Sequence, residues 1–236
     1  MGYTLIMTTT ARKLALVAAL TACHTDALTK PVPDCACAAT TLTVVNGNAS
    51  ALTVLVNGVV QGSTVAPGSV AHLSMQAGAS TVVLRPVSGA GSVSLPVIID
   101  GVTPATALAY QTVAGAFAAS VLTDSGATGV SGASKLRIIH LAQNAGRLDA
   151  FRTQPDWSTP ISFMFPFNFG ANTGFYQSTP GNWHVRVWKS TPGLDFDPSG
   201  WNRALDSLTV NVPSGGLHTL VMLDAPGGTV KLQLID

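Results

Sequence analysis

The residues that could do chemistry are few and scattered. Cysteine occurs at Cys23, Cys35 and Cys37, and glutamate is absent from the chain. Histidine recurs at His72, His140, His184 and His218 with no H-x-H or H-x-x-x-H spacing, so no sequence-adjacent imidazoles share a face for a metal. Cys35-Ala36-Cys37 has no companion cluster of ligands, and a disulfide across one intervening residue would be strained. Both cysteines read as part of a tether. Asp195 and Asp197 are the close carboxylate pair, without the closing glutamate of a calcium loop, and they read as a solvated turn.

His140 and Asp149 stand where a hairpin would bring them together, and a carboxylate beside an imidazole evokes a hydrolytic triad. No G-x-S-x-G elbow accompanies them, and an all-β chain is the wrong scaffold for one. The expected role is a loop pinned by Asp149 through His140 or Arg137. No catalytic residue, metal or cofactor is expected.

Aromatic residues are concentrated in the C-terminal half, which holds all four tryptophans. Phe163, Phe165, Phe167 and Phe169 alternate in "SFMFPFNFG", which puts them on one face of an extended segment. Pro166 restricts that segment to an edge strand or a loop. Such a strip either fills a core or docks on a protein partner or lipid. Trp157, Trp183, Trp188 and Trp201 offer a second reading as stacking platforms for a glycan.

At the other end, Arg12 and Lys13 precede the nine residues Leu14 to Ala22, which are too short to span the roughly 30 Å hydrocarbon core. A charged segment, a short apolar run and small residues before a cleavage point describe an export signal. Leu20-Thr21-Ala22-Cys23 resembles the bacterial lipobox, in which the cysteine is acylated and becomes the first residue. That resemblance implies a membrane anchor at Cys23, because two or more acyl chains hold a protein stably on a bilayer. His24 stands where some bacteria use an aspartate to retain lipoproteins on the inner membrane, which points to the outer one. The expected segments are a signal over 1–22 and a tether over 23–40, reaching roughly 20–25 Å.

The formal net charge is +1 and charged residues make up 10% of the chain, against about 25% in average soluble domains. No basic patch suits nucleic acid. A surface so poor in charge is dressed in Ser, Thr and Asn, or is covered by an assembly.

From residue 41 onward, short Val/Thr/Leu/Ile runs alternate with Gly, Pro, Asn and Ser, the pattern of an all-β sandwich. "LTVLVNGVVQG" predicts a hairpin with Asn57-Gly58 in a type I′ turn. Strands are expected at 80–86, 107–113, 183–189, 217–223 and 229–235. Laying 41–122 on 135–236 reveals a repeat: "TLTVVNGNASALTVLV" matches "KLRIIHLAQNAGRLDAF", and "QAGASTVVLRP" matches "TPGNWHVRVWK". The Ser/Gly-rich 123–134 reads as the linker between two tandem, antiparallel Ig-like or transthyretin-like β-sandwich domains.

"SKLRIIHLAQNAGRLDAF" resembles the opening of a bacterial exported domain of unknown function, built as an Arg-apolar-apolar-His strand, a small-residue loop and an Asp-led second strand. Arg137, His140 and Asp149 occupy the Arg, His and Asp places. Ala150-Phe151-Arg152 stands where Val-Tyr-Val is usual. The first repeat has Thr43, Asn46 and Thr53 instead. The resemblance implies envelope location and sandwich folds, and brings no established activity. The expected function is that of a lipid-anchored, non-catalytic binding or structural subunit, with glycan recognition or an envelope hydrolase as alternatives.

Overall fold

Asn57 and Gly58 both take positive φ, 50° and 82°, as a two-residue type I′ turn requires. Around them β2 (Leu52–Val56) and β3 (Val59–Val60) form the hairpin expected from the sequence. The computed structural model describes residues 39–89, 91–101, 104–123, 129–153, 161–190 and 204–235, with the side chains of 161–166 excepted. Cys23, Trp157 and Trp201 lie outside the described residues, as do the side chains of Phe163 and Phe165.

The remaining strands of the first repeat are β1 (Ala39–Asn46), β4 (Val70–Gln76), β5 (Gly78–Pro86), β6 (Val93–Ile99), β7 (Ala105–Gln111) and β8 (Phe117–Thr123). The second repeat supplies β9 (Ser134–His140), β10 (Leu148–Thr153), β11 (Ile161–Phe167), β12 (Tyr176–Ser178), β13 (Gly181–Lys189), β14 (Asp206–Val212), β15 (Leu217–Ala225) and β16 (Thr229–Ile235). Apart from short 3-10 turns at Gln143–Ala145 and Pro226–Gly228, the regular structure of the described residues is β. The fold is all-β, with four four-stranded sheets arranged as sandwiches.

The first pair of sheets runs β4-β1-β7-β8 and β3-β2-β5-β6; the second runs β12-β9-β15-β16 and β11-β10-β13-β14. Adding eight to each strand of the first repeat reproduces the second, so the two halves share one topology. The sheets are not purely antiparallel as expected. β1 pairs with β7 in parallel, and β9 with β15 likewise. The reason is that successive strands alternate in direction: the first and seventh of a repeat both run the same way, and here they are neighbours.

Alternation sets the cores. Leu42, Val44, Val82, Leu84 and Val97 fill the first sandwich. Leu136, Ile138, Leu148, Ala150, Val185, Val187, Leu220 and Met222 fill the second. A third apolar layer joins Val45 and Leu108 of the first repeat to Ile139, Leu141, Val221, Leu223 and Ile235 of the second. Val45 and Ile139 hold corresponding places on β1 and β9, so the repeats meet through equivalent faces. Gly47 follows the same logic in reverse: a Cβ added there would lie 3.2 Å from the Leu141 Cβ and 3.1 Å from the Ala109 carbonyl. One repeat leaves out a side chain at the place where the other inserts leucine.

Polar contacts close the same seam. Arg137 Nη2 donates to Thr106 Oγ1 at 3.4 Å, Gln143 Nε2 to the Thr112 carbonyl at 2.9 Å, and Lys231 Nζ to the Gly68 carbonyl at 3.3 Å. At about 1.5–3 kcal/mol for each fully buried aliphatic side chain, the seven residues of the layer supply a gross burial term large enough to couple the two sandwiches. The two sandwiches are therefore expected to unfold together. Because every tryptophan lies in the second repeat, Leu108→Ala in the first tests this directly. It should destabilise by about 2–5 kcal/mol and move the urea midpoint of tryptophan fluorescence. An unchanged fluorescence transition would show independent domains.

Candidate functional site

The three residues of the opening-strand motif go to three different places. Leu136 and Ile138 point into the second core, so Arg137 points the other way, towards the first sandwich. There its Nε donates to Thr219 Oγ1 at 2.9 Å and its guanidinium sits 4.4 Å from the centre of the Phe175 ring. Leu148 and Ala150 face the same core from the opposite sheet, so Asp149 points to that sheet's outer side. Arg137 and Asp149 are thus separated by the thickness of the sandwich. The expected Asp149 contact with His140 or Arg137 is replaced by a hydrogen bond with Ser190 and the charge of Arg147. Burial raises the Asp149 pKa, and those two partners oppose the shift.

Of the three motif residues, His140 is the one that pins the loop. It is fully buried at the end of β9, where the Ala142 N–H donates to Nδ1 at 3.1 Å. The ring proton therefore resides on Nε2, which donates to the Gly146 carbonyl at 2.8 Å. The ring stacks on Phe167, centroids 5.8 Å apart and planes 7° from parallel, and meets Phe169 edge-on at 6.2 Å. Desolvation depresses its pKa, against the opposing pull of the Gly146 carbonyl and the Asp224 carboxylate. Asp224 on β15 holds the same loop from below, accepting from Asn144 N at 2.9 Å and from Asn144 Nδ2 at 3.2 Å.

Asn46 does the corresponding work in the first repeat. Its Oδ1 accepts from Asn48 N at 2.9 Å, two residues on, just as His140 Nδ1 accepts from Ala142. Its Nδ2 donates to the Ser50 and Val65 carbonyls, both at 2.9 Å. The β1–β2 loop has five residues, 47–51, and the β9–β10 loop seven, 141–147. The longer side chain serves the longer loop. Asn46 looked like a loss of the motif, whereas the repeat alignment already put an amide where the imidazole stands.

The Phe strip divides. β11 is an edge strand, paired only with β10, as Pro166 demands. Its register slips: Leu148 pairs with Phe167 but Ala150 with Met164. Two residues of β10 thus face three of β11, and the simple alternation of the four phenylalanines is interrupted. Phe167 is 0% exposed and part of the second core, which removes it as a partner or membrane contact. Phe169 is half-buried against His140 and, at 6.0 Å edge-on, Tyr110 of the first repeat.

Among the tryptophans, Trp183 alternates inward with Val185 and Val187 and is core, not a glycan platform. Its indole N–H donates to the Thr179 carbonyl at 2.8 Å, and the Arg152 guanidinium lies 3.9 Å over its ring. Arg152 is itself buried, donates to Ser178 Oγ, and has its pKa lowered by desolvation. Trp188 is half-buried and stacked on Phe151 at 4.9 Å. The other histidines have separate surroundings: His72 Nδ1 contacts Thr43 Oγ1 at 3.2 Å, and His184 Nδ1 contacts Thr209 Oγ1 at 2.9 Å. No group of three or more His, Cys, Asp or Glu side chains among the described residues could hold a metal ion.

No protein-family profile matches the chain, and no curated protein matches it in sequence. The resemblance of the β9–β10 segment to an exported domain therefore rests on its own residues.

His140→Asn should shorten the pin and leave the Gly146 carbonyl without its donor, a loss of about 1–3 kcal/mol. A histidine depressed in the folded state stabilises fully above its unfolded pKa, about 6.5, and loses that contribution as pH falls below it. The urea midpoints of wild type and variant should accordingly differ most near about pH 7.5 and converge towards about pH 5. A difference independent of pH would contradict a neutral, pinned imidazole.

Proposed function

We propose that this chain is a lipid-anchored, non-catalytic protein of the bacterial cell envelope that serves as a binding or structural subunit at a membrane. The observation that carries the reading is Leu20-Thr21-Ala22-Cys23 behind Arg12, Lys13 and a nine-residue apolar run. No helix among the described residues is long and apolar enough to cross a membrane, so the reading places attachment on the acyl chains of Cys23. Its partners are the bilayer through that anchor and a protein of the envelope, not nucleic acid.

Support for a non-catalytic role comes from what the polar side chains do. Arg137 ties β9 to β15 and to the first sandwich, His140 holds a loop, and Asp149 faces away from both. Each has a structural task, and the three do not converge on a common point. The core position of Trp183 and the Phe151 ring stacked on Trp188 weigh against a glycan platform on β13.

Mass spectrometry of protein taken from membranes should show a blocked N-terminus at Cys23 carrying added lipid mass. Cys23→Ser should release the chain from the membrane fraction without altering its unfolding midpoint. A free amine at any other residue would exclude the anchor.

A further inference from the structure

We infer that the outer face of the β3-β2-β5-β6 sheet in the first sandwich lies against the phospholipid surface. The inference rests on the lipid anchor at Cys23 and adds to it a specific face of the folded domain. Val54, Val82, Leu84 and Val97 point into the core, so Leu55, Val83, Pro96 and Ile98 point outward. The register joins them into rows: Val60 opposite Leu55, Leu55 opposite Val83, Thr81 opposite Pro96 and Ala79 opposite Ile98. Ile98 is 79% exposed and Val60 57% exposed. The corresponding face of the second sandwich is different, since Asp149, Phe151 and Thr153 on its β10 are all buried. Among the described residues, with Phe167 in the core, the first repeat carries the exposed aliphatic sheet face.

Three observations select lipid as the occupant. The first is where the chain must be attached. Ala39 pairs with Gln76 and Gly78 with Ile99, which puts the start of β1, the β4–β5 connection and the end of β6 at one pole. Ala79 and Ile98 are at that pole. The β2–β3 turn points towards it, because Asn57 N donates to the Thr81 carbonyl at 2.9 Å and Thr81 N to Asn57 Oδ1 at 2.8 Å. The sixteen residue steps from Cys23 to Ala39 span at most about 55 Å fully extended. An acylated Cys23 therefore keeps this pole, and no other part of the fold by necessity, within that distance of the headgroups.

The second is charge. Arg85 and Asp100 are the charged residues of the whole stretch 41–122. Arg85 sits in the row farthest from the pole, opposite Thr53, where its long stem can keep the guanidinium in water. Asp100 follows β6 at the pole itself, at the end of the face. The aliphatic patch between them, formed by Val60, Leu55, Val83, Pro96 and Ile98, carries no charge of its own, so seating it in the interface avoids the step that makes charged surfaces costly to insert. The third is the edges. β3 has two residues and β6 contains Pro96, so neither edge of the sheet suits strand addition by another chain. Contact has to be made by the face.

The test uses the acylated full chain on vesicles of phosphatidylcholine. Cys35→Ser and Cys37→Ser clear the background, and an environment-sensitive fluorophore is placed on Ile98→Cys or, as a control on exposed β14, on Ser207→Cys. Nitroxide-bearing lipid should quench the label at 98, with a blue-shifted emission, and leave the label at 207 unquenched. Adding Val60→Asp should abolish quenching at 98. Protein that floats with vesicles yet shows no quenching at 98 overturns the lipid contact and leaves the anchor standing. Protein that does not float removes the anchor, and the proposal with it. If the label at 98 is instead shielded in proportion to protein concentration, the face binds a second copy and the lipid assignment is wrong.

Discussion

The layer formed by Val45, Leu108, Ile139, Leu141, Val221, Leu223 and Ile235 is the constraint on which the arrangement of the chain depends. Each of β1, β7, β9 and β15 is a central strand, and each must bury both faces: one in its own sandwich, one in this layer. That is why β1 reads as a run of buried residues from Leu42 to Asn46, and β9 as one from Leu136 to His140, rather than as clean alternation. A strand with two apolar faces has no stable position at a solvent surface. The duplicated fold therefore supplies its own cover, each repeat shielding the equivalent face of the other.

Duplication also leaves room for asymmetry. Gly47 and Leu141 occupy the same place in the two repeats, and the absence of a side chain in one makes space for the other. Asn46 and His140 present the same pair of functions, an acceptor for the backbone two residues on and a donor to a carbonyl beyond it. Amide and imidazole differ mainly in reach, and the two loops differ in length to match. Arg137, in turn, belongs to both halves at once, with Thr219 on its own side and Thr106 across the seam.

The two halves differ in what they leave for other molecules. The second holds the tryptophans and nearly all the charge of the two repeats, and its Arg137, His140 and Asp224 side chains make internal hydrogen bonds. The first holds a charge-poor, aliphatic sheet face near the place where the chain leaves the fold. The two halves, joined through the shared apolar layer, thus present different surfaces. Composition conceals this difference, because the aromatic-rich half is the one in which Phe167 and Trp183 belong to the core.

Much of the architecture was legible in the residues alone. The Asn57-Gly58 hairpin, the strands at 183–189, 217–223 and 229–235, and the repeat of 41–122 in 135–236 all follow from local rules of turn chemistry and period-two patterning. Those rules act between near neighbours, so the sequence displays them directly. Which strands become neighbours is a long-range matter. The parallel pairing of β1 with β7, the slip in register that carries Phe167 into the core, and the inward turn of Trp183 each depend on which sheet a strand joins and which of its faces is covered. The same holds for Arg137, His140 and Asp149. Seven residues of sequence separate the strands that hold them, and alternation on the two sheets sends Arg137 and Asp149 to opposite sides of the sandwich. Spacing along the chain determined that these residues open a repeat; only packing decided that they never meet.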